Sequence, residues 1–350
     1  VGRSISPLGV HVPGNITVSA YGSSGRAGDT WWLQTGYLYG KEWTVQGGPG
    51  RRWRSTADAS TQRIVYDAGA SDMFDGDIFA VLGTNVSGVT LKFNTSDSWA
   101  SPAVSIPMSS IIASSVSVAT FGKGYIELSN ATFRPHELAS RPGRSGRRFW
   151  VRFSSGATYR IDDNPTATRL MLYGSDVSAL SSTVTIFTDS MWARGVSGAG
   201  YRYMALEITN QNTADDYYEI GQFVMGYGIE LTRDDGFEDG WSRRYLPNVE
   251  VMEPDSGARL TRFRGAMRRT LAIRWSPKYL TTHDGLLKVR EVYRRCNGPE
   301  TPFLYVHNPD KGWLADGGGY YRWTSDLSEE QVHGEDFFAL GQITAEEEVE

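Results

Sequence analysis

The sequence predicts a mainly β fold, and three observations carry that expectation. Its 350 residues include 39 glycines, 14 prolines, 11 Trp and 18 Tyr, with few long stretches of Ala, Glu, Lys and Leu. Short aromatic-rich strands joined by tight turns need that composition. Many segments of strand length alternate apolar and polar residues with period two, and turn residues separate them. With 40% of residues hydrophobic the chain can bury a substantial core, and at roughly 150 residues per domain its length suggests two domains or slightly more.

The first sixty residues are rich in Gly, Ser, Trp and Arg, with Gly-Pro-Gly at 48–50 and no sustained period, and read as an irregular arm with short extended pieces. From Arg63 the alternation becomes clear. Ile64 and Tyr66 share a face, Ile78 to Leu82 is a continuous apolar run, and Val89, Leu91 and Phe93 alternate again. Gly83-Thr84-Asn85 and Ser87-Gly88 tolerate positive φ, so the last two segments are expected to form a hairpin. Further strands are expected at 125–128, 149–153, 159–161, 184–187, 203–208 and 218–225, a spacing that suggests a sandwich and not βαβ units. Phe149, Val151 and Phe153 oppose Trp150 and Arg152, and Met204, Leu206 and Ile208 repeat that alternation. Each set is assigned to an inner face of the sandwich.

After Asp234 the character changes. An acidic, Gly-containing turn over 234–241 leads into basic strands at 259–266 and 268–275. A helix is expected from Asp284 to Cys296, with Leu286, Val289, Tyr293 and Cys296 on one face. Thr281 and Asp284 have capping-box spacing, and Asn297-Gly298-Pro299 supplies a left-handed stop followed by a breaker. The apolar face is expected to pack on a sheet containing Leu271, Ile273, Trp275 and Phe303. The expected organisation is an arm over 1–60, a β-sandwich over 61–233, a smaller α+β domain over 234–345 and a solvated acidic tail over 346–350.

Charge and motifs exclude several function classes. Thirty-five basic and 40 acidic residues give a net charge of −5, so there is no overall basic field to hold nucleic acid or an anionic membrane. Cys296 is the only cysteine, which excludes a disulfide framework. No run approaches the roughly 20 apolar residues of a membrane span, and Val1 to Asn15 lacks a signal peptide's apolar segment. The histidines His11, His136, His283, His307 and His333 are scattered without a zinc spacing, and the turn over 234–240 lacks a calcium loop's alternating ligands. Gly47 to Gly50 and Gly317 to Gly319 open no helix, so neither reads as a phosphate cradle. Ser197 misses the spacing of an acyl-transfer nucleophile. No cofactor and no metal are expected.

Two constellations stay open. Asp215, Asp216 and Glu219, or Asp162 and Asp163, could supply a glycosidase pair only if folding set two carboxyls about 5 to 9 Å apart. Trp31, Trp32, Tyr37, Tyr39, Trp43 and Trp53 are candidate interaction residues, being more aromatic surface than an irregular segment buries alone. They lie against another domain, another subunit or a sugar ligand, or they pack within their own chain. Basic clusters at Arg51, Arg52 and Arg54, at 141–148, and at Arg262, Arg264, Arg268 and Arg269 read as solvated strand faces or as edges where subunits meet.

The stretch Arg63-Ile-Val-Tyr-Asp-Ala-Gly through Ala80-Val-Leu-Gly-Thr-Asn85, then Val89-Thr-Leu-Lys-Phe93 with Ser96-Asp97, resembles the opening strands of a galactose-binding-like, discoidin-like jelly roll. Arg202 to Thr209 and Tyr218 to Phe223 resemble its closing strands. Joined to the basic strands, the helix and Pro302-Phe-Leu-Tyr-Val306, the arrangement over residues 60 to 310 is similar to tail-tip and baseplate proteins of tailed bacteriophages. That resemblance implies a non-enzymatic virion structural protein of the tail, forming a ring of its own copies among other tail proteins, with host-surface glycan as a further partner. The alternative is a secreted carbohydrate-binding protein with an accessory domain. No binding residue carries over from the resemblance.

Overall fold

The computed structural model describes residues 3–4, 11–12, 17–21, 53–55, 61–68, 74, 76–130, 132–138, 148–176, 182–195, 200–209, 211–226, 228–230, 242–246, 249–252, 260–263, 268–273, 283–307, 310–312, 318–327, 329–333, 337–340 and 343–347. The fold is mainly β. In chain order the strands are β1 Arg3–Ser4, β2 His11–Val12, β3 Thr17–Tyr21, β4 Trp53–Arg54, β5 Gln62–Asp67, β6 Ile78–Leu82, β7 Gly88–Asn94, β8 Val104–Ser109 and β9 Ile111–Leu128. Next come β10 Phe149–Phe153, β11 Thr158–Asp163, β12 Arg169–Asp176, β13 Thr183–Thr188, β14 Ser190–Arg194, β15 Tyr203–Ile208, β16 Glu219–Ile220 and β17 Gln222–Gly226. The C-terminal part holds β18 Ser242–Leu246, β19 Val249–Met252, β20 Leu260–Phe263, β21 Arg268–Ile273, helix α1 His283–Arg295, β22 Phe303–Tyr305, β23 Gly319–Trp323, β24 Glu329–His333, β25 Phe337–Leu340 and β26 Ile343–Glu347.

Two sheets form the sandwich. One has the order β3-β5-β15-β7-β8 and the other β14-β6-β17. Period-two alternation puts Ile64 and Tyr66 of β5, Leu91 and Phe93 of β7, and Met204 and Leu206 of β15 on the inner face. They close one core with Phe79 and Val81 of β6, Met191 of β14, and Phe223 and Met225 of β17. The outward side of β15 carries Glu207 between Arg63 on β5 and Lys92 on β7. Lys92 donates to it at 2.6 Å and Arg63 Nε at 2.9 Å. Burial raises the Glu207 carboxyl, but the hydrogen bonds and charges of Lys92 and Arg63 outweigh it and hold the group below its ordinary 4.5. A depressed folded-state pKa contributes stability above the unfolded value that is lost as pH falls through the folded one. Glu207→Gln is therefore expected to lose about 1–3 kcal/mol at neutral pH. It should also lose less than wild type on acidification below 4.5, read by urea titration at each pH; parallel acid profiles would remove the assignment.

The hairpin expected between β6 and β7 does not form. β6 pairs with β14 and β17, whereas β7 pairs with β8 and β15. Gly83 does adopt a positive φ of 65°, yet the turn carries the chain from one sheet to the other. Turn chemistry alone does not distinguish a hairpin from a sandwich crossover, because both need only a tight reversal.

Between β8 and β14 the chain makes a closed barrel of order β10-β11-β12-β9-β13. Four of the expected strand segments, 125–128, 149–153, 159–161 and 184–187, belong here, so the assignment of Phe149, Val151 and Phe153 to a sandwich face is corrected: they point into the barrel. Their neighbours there are Ile126, Leu128, Ile161, Leu170, Leu172, Val184 and Ile186. The 18-residue β9 makes closure possible because its first part pairs with β13 and its last part with β12. Gly124, at φ 74°, lies within the β12-paired part, at the register shift between Lys123 and Tyr125, and takes a conformation that L side chains resist. One barrel end is capped by Phe133 and Leu138. Fully buried Asn164 ties that cap down, accepting from the Leu138 N–H at 2.7 Å and donating to the Arg134 carbonyl at 2.6 Å.

The C-terminal unit is a five-stranded sheet of order β18-β21-β26-β23-β22 with α1 on one face. Val289, Val292, Tyr293 and Cys296 meet Leu271, Ile273, Phe303 and Trp323, as the sequence pattern implied. Leu286, Thr281 and Trp275 lie outside the described side chains. The expected left-handed stop is present: Asn297 and Gly298 have φ of 52° and 61°, and the Gly298 N–H donates to the Tyr293 carbonyl at 3.0 Å. The opposite face of this sheet sets Leu304 and Tyr320 against Ala80, Leu82, Trp192 and Val224 on the outside of the sandwich's smaller sheet. Glu346 and Glu347, expected in a solvated tail, instead belong to β26. Glu347 is buried and accepts from Arg269, itself 2% exposed, at 2.5 Å through Nε. The pair is sheltered where Gly319 passes, since a Cβ there would lie 3.0 Å from both side chains. Arg269 is accordingly no solvated strand face.

Candidate polar and aromatic site at the sandwich–barrel seam

The outward face of the barrel next to the sandwich is built by cross-strand register. Trp150 on β10 stands opposite Phe187 on β13 and Arg160 on β11. Ile161 pairs with Leu172, which sets Arg160 beside Tyr173 one step along on the outward side of β12. The row therefore runs Phe187, Trp150, Arg160, Tyr173. Its inner end is closed, with Trp150 at 1% exposure stacked on Phe187 at 5.6 Å between centroids. Its outer end is open, with Tyr173 at 71%. Among the described residues Tyr173 and Leu287 are the exposed large hydrophobic side chains.

The sandwich contributes the other wall. Fully buried Asn85, from the crossover after β6, accepts from the Glu219 N–H at 2.8 Å and donates to the Tyr217 carbonyl at 2.8 Å and to Asp215 Oδ2 at 3.3 Å. Glu219, at 1% exposure, accepts from Arg54 Nε and Arg148 Nη1, each at 2.9 Å. Arg148 also donates to the Gly83 carbonyl at 3.2 Å and lies 5.1 Å over the Trp150 ring. The Arg54 guanidinium lies 4.8 Å over Tyr217. Burial raises the Tyr217 hydroxyl, as do the charges of Asp215 and Glu219, with Arg54 and Arg148 opposing. Burial and the neighbouring charge of Arg148 lower Arg160, while Asp215, Tyr173 and Asp162 oppose that shift. Further along the seam, Arg152 donates to Ser87 Oγ at 2.9 Å, and the Ser87 N–H donates to Gln211 Oε1 at 2.9 Å.

The site tests the residues singled out in the sequence. Glu219 is no member of a glycosidase pair: both oxygens are held by guanidiniums and the group is enclosed. Asp215 and Asp216 are exposed on the preceding turn, with Asp216 at φ 58°. Asp163 is spent on His136, whose Nδ1 lies 3.0 Å from either carboxyl oxygen. Burial pushes the Cys296 thiol up to about 12, the opposite of what a nucleophile needs. Trp53 is 0% exposed within the sandwich core, so it packs in its own chain. Trp31, Trp32, Tyr37, Tyr39 and Trp43 lie outside the described residues, as do Ser197 and the acidic turn at 234–240. Among the described residues no three His, Cys, Asp or Glu side chains converge as a metal site, and no helix is long and apolar enough to cross a membrane. The sequence reading missed Arg148, Arg160 and Tyr173 as a group, and only the barrel register brings them together.

No protein-family model and no curated protein matches the chain. Among solved structures it is similar to CpGH89CBM32-5 from Clostridium perfringens, in complex with GalNAc-β-1,3-galactose, at 9% identity and a TM-score of 0.22 over 61% of this chain and 96% of that one. It is also similar to CBM32-1 from a family 31 glycoside hydrolase of Clostridium perfringens, at 10% identity and a TM-score of 0.20 over 61% and 94%. At such scores the likeness carries no argument about this chain, whose β-sandwich is established by its own sheets.

Proposed function

We propose that the protein is a non-catalytic glycan-binding protein and that the seam between sandwich and barrel is its binding site. Exposed Tyr173, set on β12 beside Arg160 by the β11–β12 register, is the observation that carries this reading. A sugar ring presents an apolar face to an aromatic platform and a rim of hydroxyls to planar charged groups, and a few fixed polar groups around one ring meet both needs. The polar groups are pre-oriented by buried partners, so little side-chain freedom is lost on binding. Tyr173→Ala is expected to fold normally and to weaken binding about tenfold or more, since a lost ring contact and its orientation are worth at least 1.4 kcal/mol. The measurement is glycan-array screening followed by calorimetry on the strongest sugar. Failure of every glycan to bind, or full affinity in the variant, would overturn the reading.

A second reading keeps the virion tail. Residues 202–209 and 218–223, read as closing strands of a jelly roll, form β15 and β16 with the start of β17 in the sandwich, whereas the tail reading rests on the sequence arrangement over residues 60 to 310 alone. Closed rings of purified protein in electron micrographs support it. A monomer at high concentration counts against it.

A further inference from the structure

We infer that the glycan site continues away from the seam along the outer face of the barrel, and that its ligand is an oligosaccharide with one ring on Tyr173 and the next held by Arg169 and Tyr125. The inference rests on the glycan-binding reading and adds a second subsite and the ligand's length.

Strand register joins the two places. Leu170 and Leu172 point into the barrel, so Arg169, Met171 and Tyr173 stand on the outer face of β12. On β9 Ile126 and Leu128 point inward, which turns Tyr125 and Glu127 outward. Met171 is directly opposite Tyr125, and Arg169 is opposite Glu127. Beyond Met171 the ladder resumes only where Asp176 meets Lys123, so residues 172–175 of β12 face Gly124 alone. Such a bulge re-aims side chains. It sets exposed Tyr173 at the head of a row that continues through Met171 to Tyr125.

The far end of the row is already formed. The Arg169 guanidinium lies 4.7 Å over the Tyr125 ring, and its Nε donates to Glu127 Oε1 at 2.6 Å. Arg169 Nη2 lies 2.5 Å from the same oxygen, and Thr168 Oγ1 donates to Glu127 Oε2 at 3.0 Å, so the carboxylate is fixed through both oxygens. The Tyr125 ring rests on Gly122, where a Cβ would collide with its Cε1 and Cζ. Among the described residues nothing pairs with Arg169 Nη1 or with the Tyr125 hydroxyl, and the Arg169 side chain is 43% exposed. A planar donor held beside a free hydroxyl suits the hydroxyl rim of a second sugar ring, while apolar Met171 lies under the linkage from Tyr173. Because both groups are fixed beforehand, little side-chain freedom is lost on binding.

Size selects the occupant. From Arg169 to Tyr173 the strand runs about 13 Å, and two strands are about 10 Å wide. A protein partner covers roughly 800 Å², far more than this strip offers, whereas a short extended sugar chain lies along it.

The test uses the full chain and calorimetry with mono-, di- and tetrasaccharides of galactose, glucose and N-acetylglucosamine. For the series that binds, affinity is expected to rise on the order of tenfold from mono- to tetrasaccharide, the worth of one hydrogen bond to a charged donor. Arg169→Gln should abolish that gain and spare monosaccharide affinity. Its urea midpoint should stay near wild type, because an ion pair this exposed contributes little. Tyr125→Phe keeps the ring on Gly122 and removes only the hydroxyl, and it should reduce the gain as well. Tyr173→Ala should weaken binding at every length. Equal affinity for all lengths, or an undiminished gain in both Arg169→Gln and Tyr125→Phe, overturns the second subsite while glycan binding stands. An equal loss for monosaccharide and tetrasaccharide in Arg169→Gln overturns it too, since the effect is then not confined to longer chains. Absence of binding to every sugar sinks the parent reading and this inference with it.

Discussion

Glu219→Gln is expected to destabilise the protein by roughly 3 to 5 kcal/mol, as removal of one partner from a buried charge pair does. The residue is 1% exposed, and its carboxylate pairs with Arg54 through one oxygen and Arg148 through the other. The amide keeps the size and one acceptor oxygen but offers no charge, and its NH2 group faces one of the guanidiniums, donor against donor. Arg148, with its side chain only 12% exposed, cannot swing out to water without leaving Trp150. The loss should appear as a lower urea midpoint, and a Glu219→Met, Arg148→Met double variant should recover much of it, because the Coulombic gain of a buried pair barely exceeds its desolvation cost. A single variant with the wild-type midpoint would mean that water reaches the clamp and that it does not organise the seam.

The same clamp shows what could be read from the sequence and what could not. Strand segments were legible because a half-buried strand writes its burial as alternation. Ile64 and Tyr66, Leu91 and Phe93, and Met204 and Leu206 all point where the pattern puts them. The helix end was legible because Asn297-Gly298 encodes a left-handed stop locally. Sheet membership was not legible. Phe149, Val151 and Phe153 read identically whether they face a sandwich or a barrel interior, since alternation reports a buried face and not the partner covering it. Glu347 was misplaced for a related reason: in a run of acidic residues its burial depends on Arg269, 78 positions away. The site was the least legible part. Arg54, Asn85, Arg148, Arg160, Tyr173 and Glu219 come from six separate segments, and no spacing rule connects them. Arg148 even sat in a basic cluster that reads as solvated surface.

Trp53→Ala is expected to cost about 3 to 5 kcal/mol, the range for deleting a large ring from a close-packed core. The sequence sets the arm over 1–60 apart from the sandwich over 61–233, yet two segments of the arm pair with sandwich strands. β3 pairs with β5 over Thr17 to Tyr21 and so covers that strand's open edge. β4 pairs with β16, setting Trp53 opposite Ile220 and placing its ring, at 0% exposure, in the sandwich core. Its neighbour Arg54 reaches Glu219 from the same two-residue strand, so the position that fills the core also fixes one side of the clamp. The cavity left by alanine cannot collapse easily, because sheets on both sides of the core are held at fixed spacing by their ladders. A chain beginning at residue 61 should be destabilised further still, losing Trp53, Arg54 and the edge cover together. Thermal or urea unfolding of both forms followed by tryptophan fluorescence and circular dichroism measures this, and a truncated chain that melts with the full-length protein would restore the separable arm.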